Sequence, residues 1–85
     1  MTVEQQGGGK VLDARGLLCP LPVVNTSKAI KLVSLGEVLE VLTTDPGSKA
    51  DLIAWAKMTG HELVDLSEVN EGLHTLFKFY IRRMM

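Results

Sequence analysis

The chain of 85 residues has little cysteine and histidine: Cys19 is its only cysteine, and there are two histidines. One cysteine cannot form an intramolecular disulfide, and no Cys/His cluster offers the four ligands of a structural zinc site. The sequence therefore predicts a fold without disulfide, metal or other cofactor, in a reducing, cytoplasmic setting. Hydrophobic residues make up 46% of the chain, which suffices for a small core without such cross-links.

Long apolar runs and an excess of basic charge are also lacking. No run approaches the roughly 18 to 20 residues that a membrane span requires, and the glycine-rich N-terminus does not have the pattern of a signal peptide. The formal net charge is −1, and aromatic residues amount to 5%. Nucleic-acid binders gain affinity from neutralised phosphates and stacked rings, so this composition argues against direct nucleic-acid binding as well as against membrane association.

The pattern of apolar residues predicts one domain in residues 10–85, preceded by a disordered tail in residues 1–9. Strands are predicted at about 10–14, 37–44, 61–68 and 73–83, and helices at about 20–35 and 46–58. Gly36 and Gly60 are expected to end the two helices in the left-handed conformation. Because right-handed crossovers between parallel strands place their helices on one face, we expect an α/β (α+β) fold. It would be a two-layer βαβαββ sandwich, with two helices packed on one face of a four-stranded mixed sheet, and a monomer when alone.

Spacing also predicts which side chains face the core. In the second helix, Leu52, Ile53 and Ala56 are placed on the inner face. In the last strand, alternate positions are apolar and expected to be buried: Phe77, Phe79 and Ile81.

Cys19 lies at the junction between the first predicted strand and the first predicted helix, and it is followed by Pro20 and Pro22. Both prolines suit the first helical turn, with Pro20 at the first position, because their missing N–H groups break no intrahelical bond there. The free amides and dipole of that turn would stabilise a thiolate, and Arg15, across a turn at Gly16, would add a cation. Lone cysteines are commonly buried, but such a junction normally lies at the surface. We therefore predict an exposed sulfur nucleophile with a lowered pKa.

Two acidic residues are expected near this junction. Asp13 ends the first strand, where it can cap local amides or pair with Arg15. Asp45 or Ser48 can cap the second helix, which Pro46 can start.

With these features in view, the chain resembles the TusA-like (SirA-like) sulfur-carrier family from about Val11 to Arg83. The residues that carry the resemblance are Leu12-Asp13, Gly16-Leu17, Cys19-Pro20-Leu21-Pro22 (the Cys-Pro-x-Pro motif), Thr44-Asp45-Pro46-Gly47-Ser48, Gly60-His61-Glu62-Leu63 and Tyr80-Ile81-Arg82-Arg83. The resemblance implies the same βαβαββ sandwich and a sulfurtransferase or sulfur-carrier function. In that function Cys19 receives a sulfane sulfur as a persulfide and passes it to an acceptor cysteine on another protein.

The resemblance also implies roles for single residues. Cys19 would be the carrier, and the supporting residues would be Pro20 and Pro22 at the start of its helix, Asp13 and Gly16 in the approaching loop, and Asp45 at the neighbouring helix. No cofactor is implied beyond the covalent persulfide. The donor would be a cysteine desulfurase or a rhodanese, and the acceptor would act in tRNA thiolation, molybdenum-cofactor synthesis or sulfur oxidation. Without a second cysteine to resolve it, the persulfide must be released to a partner or a small thiol.

Partner docking is assigned to apolar and basic side chains. Leu18 and Leu21 are expected to form an apolar rim around Cys19. The basic residues that can dock acidic surfaces of donors or acceptors are Lys28, Lys31, Arg82 and Arg83.

Other functions remain open from the residues themselves. A Cys-His dyad with His61 or His74 would suggest acyl transfer or hydrolysis, but nothing in the spacing brings either histidine to Cys19. A regulatory protein with a redox-sensitive Cys19, or a module that binds RNA or protein, needs no sulfur transfer. Replacing Cys19 separates a carrier from a binding module, because a carrier would lose all activity.

Overall fold

The computed structural model describes residues 2–6 and 9–85, with side chains from Lys10 onward. Its elements are β1 (Thr2–Gln6), β2 (Gly9–Asp13), α1 (Leu21–Ala29), a 3₁₀ helix (Ile30–Leu32), β3 (Val38–Thr43), α2 (Gly47–Thr59), β4 (Glu62–Asn70) and β5 (Thr75–Arg82). From β2 onward, this order confirms the predicted βαβαββ sequence of elements.

The sheet has the strand order β1-β2-β3-β5-β4. β2 and β3 are parallel, whereas β5 is antiparallel to both of its neighbours, β3 and β4, so the sheet is mixed as predicted. β4 consequently runs parallel to β3, with β5 between them. Each helix therefore connects two parallel strands, which explains why both helices lie on the same face.

β1 is a difference from the expectation of a disordered tail in residues 1–9. Thr2–Gln6 pairs antiparallel with β2, with Thr2 opposite Asp13 and Gln6 opposite Gly9. This adds a fifth strand to the predicted four, because the free amides and carbonyls along the edge of β2 can pair with an extended segment that folds back on it. The parts of the tail prediction that concern residues 1, 7 and 8 lie outside the described residues.

The core lies between the sheet and the helices. Its fully buried sheet side chains include Leu12, Leu39, Val41, Phe79 and Ile81. Phe77 is also buried, so the alternation predicted for the last strand is confirmed. Each such large apolar side chain contributes roughly 1.5–3 kcal/mol by leaving water. α1 and α2 are thereby held against the sheet, and their first residues lie at one edge of it.

The first helix is shorter than predicted. Pro20, predicted at the first helical position, is instead the N-cap, and α1 begins with the next residue. Pro22 lies in the first turn as expected. α1 ends at Ala29 and passes into the 3₁₀ helix instead of running to residue 35. Gly36 has the expected positive φ, 84°, but lies beyond the helix, where its N–H donates to a carbonyl just after β5 at 2.8 Å. This glycine therefore directs the chain into β3.

The second helix buries one narrow face. Ser48, Leu52 and Ala56 follow one another at intervals of four residues and are buried. Ile53, predicted on the inner face, is 39% exposed. The reason is geometric, because consecutive helical residues are turned by about 100° and Leu52 already points at the sheet. Gly60, with φ 81°, ends α2 in the left-handed conformation as predicted.

Within the described part of the chain, no helix combines the length and apolarity needed to cross a membrane.

Candidate functional site

Both helices begin at the same edge of the sheet, namely the one formed by the carboxyl ends of the parallel strands β2 and β3. The reason is that each helix follows one of these two strands. The loops after these strands are joined by hydrogen bonds. The Ala14 N–H donates to the Leu42 carbonyl at 2.8 Å, and the Gly16 N–H donates to the Thr44 hydroxyl at 2.9 Å. The carboxyl ends of adjacent parallel strands are a common place for functional sites, and Cys19 lies there.

Cys19 is a free, exposed cysteine, so its predicted exposure is confirmed. Its backbone N–H donates to Asp45 Oδ2 at 2.9 Å, and its thiol donates to Asp51 Oδ2 at 2.7 Å. Asp45 Oδ1 also accepts from the Gly47 N–H at 3.2 Å. One carboxylate thus ties the cysteine loop to the start of α2, and a second carboxylate contacts the thiol itself. The predicted cap of α2 by Asp45 or Ser48 differs from the structure, because Pro46 is the N-cap and the helix begins at Gly47.

The protonation of the thiol differs from the prediction. The hydrogen bond to Asp51, desolvation, and the negative charges of Asp51 and Asp45 all raise the pKa of the Cys19 thiol above its ordinary value. Each of these effects favours the neutral thiol over the thiolate. The predicted lowering relied on Arg15, whose guanidinium instead binds Asp13 at 2.9 and 2.8 Å. It also relied on the helix dipole, but Cys19 lies outside α1 and precedes its N-cap, Pro20.

Asp13 and Arg15 form a separate unit in the loop. The Arg15 N–H adds a third hydrogen bond to Asp13 Oδ1, at 3.1 Å. The side-chain hydrogen bonds and opposite charges lower the pKa of Asp13 and raise that of Arg15. An open pocket of about 590 Å³ adjoins this pair and is lined by Asp13, Arg15, Gly16, Thr44, Glu71 and His74. Asp13 and Arg15 therefore shape the loop that leads to Cys19, without contact to its thiol.

The two histidines have other partners. His61 Nδ1 accepts a hydrogen bond from the Met84 N–H at 3.1 Å. His74 Nε2 lies 3.5 Å from a carboxylate oxygen of Glu71. Neither ring contacts the Cys19 thiol, so the structure does not form a Cys-His dyad.

The predicted docking residues fall at two opposite edges of the sheet. Leu18 and Leu21 flank Cys19 and are 71% and 47% exposed, so the apolar rim adjoins the thiol. Arg82 pairs with Val38 at the start of β3, whereas Cys19 follows the end of the neighbouring parallel strand. A six-residue strand separates these edges, which corresponds to roughly 20 Å.

The other basic residues also lie toward the far edge. Lys28 is in the last turn of α1, and Lys31 is in the 3₁₀ helix that follows. Nη1 of Arg83 donates to two main-chain carbonyls in that region, at 2.7 and 3.4 Å. Arg82 pairs with Glu62 at 2.8 Å. The structure thus does not bring the four basic residues to Cys19, and both arginines have partners within the chain.

Asp51 is the residue at the site that the sequence pattern did not reveal. It lies in the second turn of α2, and its carboxylate reaches the thiol because α1 and α2 begin side by side. The available signal was the predicted βαβαββ order, because helices that follow neighbouring parallel strands begin at the same edge of the sheet. An apolar groove of about 370 Å³ extends from this contact between the helices and is lined by Pro20, Val23, Asp51, Ala54, Trp55, Met58 and Thr59. The described residues contain no group of three or more His, Cys, Asp or Glu side chains placed to hold a metal ion.

Comparisons with known proteins find similar sequences. A family model described as Sulfurtransferase TusA matches residues 10–83. YrkI of Bacillus subtilis is 49% identical over 74 residues, which are 87% of this chain and 93% of that protein. Sulfur carrier protein TusA of Allochromatium vinosum is 48% identical over 67 residues, 79% of this chain and 88% of that protein. YrkF of Bacillus subtilis is 64% identical over 63 residues, which cover 74% of this chain but 34% of that protein.

Similarity extends to solved structures. The crystal structure of a SirA-like protein from Desulfitobacterium hafniense matches with a TM-score of 0.65 and 24% sequence identity. The match covers 86% of this chain and 96% of the other. At this level of identity the likeness shows the shared fold, and it confirms the predicted class.

Proposed function

The chain belongs to the TusA family of sulfur carriers, and we propose that Cys19 accepts a sulfane sulfur as a persulfide and relays it to a partner protein. The observation that carries this proposal is the exposure of the only cysteine at the edge where both helices begin. A carrier thiol has to be reached by the reactive cysteines of two larger proteins in turn. Cys19 meets this requirement, and no second cysteine competes for the bound sulfur.

The relay consists of two exchanges at the outer sulfur of a persulfide. In loading, Cys19 Sγ bonds to the outer sulfur of the donor's persulfide, the donor's S–S bond breaks, and the donor keeps its inner sulfur as a thiolate. In release, the acceptor's thiolate attacks the outer sulfur of the Cys19 persulfide. The Sγ–S bond breaks, and the sulfur of Cys19 is the leaving group. The sulfane sulfur keeps its oxidation state throughout, so neither exchange needs an oxidant, a reductant or a cofactor.

The partners follow from this chemistry. The donor is a protein that forms a persulfide, such as a cysteine desulfurase or a rhodanese. The acceptor carries a reactive cysteine and serves tRNA thiolation, cofactor synthesis or sulfur oxidation. Residues 10–85 act as one carrier domain, monomeric when alone and located in the cytoplasm. The exposed Leu18 and Leu21 give both partners an apolar rim to contact.

The raised pKa of the Cys19 thiol bears on the redox-sensor alternative. Oxidation to a sulfenic acid proceeds through the thiolate, which this site disfavours. A sensor of peroxide would be better served by a cation beside the sulfur. Sulfur transfer also needs the thiolate, so a carrier of this kind requires that a docked partner promote the deprotonation of Cys19.

Intact-mass spectrometry tests the proposed function. The protein is incubated with a cysteine desulfurase and cysteine, and wild type is compared with Cys19→Ser. We expect a gain of about 32 Da, one sulfur atom, that reductant removes and the variant lacks. Absence of a gain with any donor would refute the carrier.

A further inference from the structure

A sulfur nucleophile reacts as the thiolate, whereas the contact between Cys19 and Asp51 favours the neutral thiol. The contact therefore needs another explanation. The distance from Sγ to Oδ2 is 2.7 Å, and no other side chain among the described residues forms a hydrogen bond with this thiol. The backbone at Asp51 is held in place because it lies in α2 and the next residue, Leu52, is fully buried in the core. The carboxylate therefore extends from a well-anchored position beside the reacting atom. Its negative charge opposes formation of a second negative charge on the sulfur.

A carboxylate in this position protects an exposed thiol. Small electrophiles and oxidants react with the thiolate, so a neutral thiol is slow toward them. Cys19 is exposed and would otherwise be open to such reagents. The same carboxylate is also within reach of the proton that has to leave when the sulfur attacks a donor. One residue can thus perform both tasks.

We propose that Asp51 is the acid–base residue of the carrier site: it keeps the proton on Cys19 in the free protein and accepts that proton when a sulfur donor docks. This inference rests on the proposed sulfur relay. In loading, the thiol proton moves to Asp51 Oδ2 as Sγ bonds to the outer sulfur of the donor's persulfide, which keeps its own hydrogen. The donor's S–S bond breaks, and Asp51 returns the proton to the departing donor thiolate. The products are the Cys19 persulfide and a donor thiol, so atoms, charge and electrons balance.

Docking supplies the driving force for this proton transfer. In the free protein Asp51 is partly exposed, and water stabilises its negative charge. A donor seated on Leu18 and Leu21 would cover the thiol and exclude water from the carboxylate. Loss of hydration makes the carboxylate a stronger base for the adjacent proton. Cys19 is then activated only beneath a partner.

Release also uses Asp51, but the proton now moves toward Cys19 instead of away from it. When the acceptor's thiol attacks the outer sulfur, its proton passes to Asp51 and the Cys19 Sγ–S bond breaks. The protonated carboxyl then gives its proton to the leaving Cys19 sulfur. Cys19 returns to the neutral thiol that is hydrogen-bonded to Asp51 in the free protein.

The test compares Asp51→Asn with wild type in three reactions: alkylation by iodoacetamide, loading by inorganic polysulfide, and loading by a cysteine desulfurase with cysteine. We expect Asp51→Asn to be alkylated several-fold faster at neutral pH, with the pH midpoint of alkylation moved downward. Polysulfide should load it at least as fast as wild type. Loading by the desulfurase should slow by about a hundredfold or more, the lower end of the usual contribution of an acid–base group. A purely structural role would not accelerate one reaction and slow another.

Further variants serve as controls. Asp51→Ser is a second neutral substitution for the case in which Asp51→Asn fails to fold, as judged by circular dichroism, and the same results are expected. Asp51→Glu restores a carboxylate and should recover part of the desulfurase reaction. Asp65→Asn removes an exposed carboxylate on β4 whose one hydrogen bond among the described residues is to the next residue's N–H, and it should behave as wild type.

The outcomes separate this inference from the proposed function. If wild type fails to load from any donor, the carrier function itself is refuted. If wild type loads and the neutral variants load from the desulfurase at an equal or higher rate, the acid–base role is overturned. Slowing of all three reactions together would also overturn it, because that result identifies Asp51 as a structural support.

Discussion

At the scale of single residues, the site depends on what surrounds one sulfur atom. Asp51 contacts the Cys19 thiol, and Asp45 holds the backbone of the same residue. Arg15, the nearest arginine in the sequence, is instead bound to Asp13. Because two carboxylates and no cation determine the pKa of this thiol, its resting state is the neutral form.

The apolar rim gives a prediction at this scale. Replacing Leu18 or Leu21 by Gln should slow sulfur transfer from a desulfurase, because the partner loses apolar contact next to the thiol. Loading by polysulfide should be unchanged, since a neutral substitution leaves the charges around Cys19 as they are. Leu35→Gln is the matched control, because Leu35 is 66% exposed, close to the 71% of Leu18, but lies near the far edge of the sheet. Equal loss in both loading reactions would indicate damage to the site instead of weaker docking.

At the scale of secondary-structure elements, the end of the chain is fastened to the start of β4. The Met84 N–H donates to Nδ1 of His61, whose ring centroid lies 5.4 Å from that of Trp55 on α2. Arg83 adds hydrogen bonds to carbonyls that follow α1. These contacts link the C-terminal residues with both helices, so they stabilise the two-layer packing at the edge opposite Cys19.

The hydrogen bond between the Met84 N–H and His61 is sensitive to pH. Burial and the charge of Arg83 lower the pKa of His61, so the folded protein favours the neutral ring, whose Nδ1 can accept the hydrogen bond. The stabilisation is complete above the ordinary histidine pKa and is lost as pH falls from there through the lowered folded value. We expect the free energy of unfolding to decrease over this range, because the protonated ring no longer accepts the hydrogen bond from the Met84 N–H.

Urea denaturation at a series of pH values between about 7.5 and 5 measures this effect. His61→Gln should flatten the dependence in that range. His74→Gln, which changes an exposed histidine in the β4–β5 turn, should retain it. The same slope in wild type and His61→Gln would show that other groups cause the dependence.

At the scale of the whole molecule, charges are distributed between the two edges of the sheet. Asp45 and Asp51 lie at the edge with Cys19, whereas the basic residues proposed for docking lie toward the opposite edge. A partner that contacts both regions would have to span roughly 20 Å along the strands. The proposed basic contacts therefore affect how strongly a partner binds, and they do not take part in the reaction at the thiol.

This arrangement predicts a salt-dependent effect. In the double variant Lys28→Gln/Lys31→Gln, loading by a desulfurase should slow at low ionic strength, because the two lysines no longer attract acidic groups of the partner. At about 1 M salt, where charges are screened within about 3 Å, the variant and wild type should load at similar rates. Polysulfide loading is the internal control and should not change. A difference that persists undiminished at high salt would contradict an electrostatic role.

Local patterns in the sequence determined much of the fold. Alternation of apolar and polar residues identified β5 and its buried face, and glycine at position 60 marked the end of α2. The strand, the turn and the prolines around Cys19 predicted its exposure at a junction. These features depend on neighbours along the chain, whose geometry follows directly from the backbone periods of 2 and about 3.6 residues.

Only the tertiary structure decided which side chains meet across the site. Cys19 and Asp51 are 32 residues apart in the sequence, and their contact follows from the packing of α1 beside α2. The pairing of β1 with β2 and the place of β5 between β3 and β4 likewise depend on contacts that no local pattern contains. The protonation of the thiol was therefore predicted with the wrong sign, because electrostatic effects depend on distances in space and the sequence gives only distances along the chain.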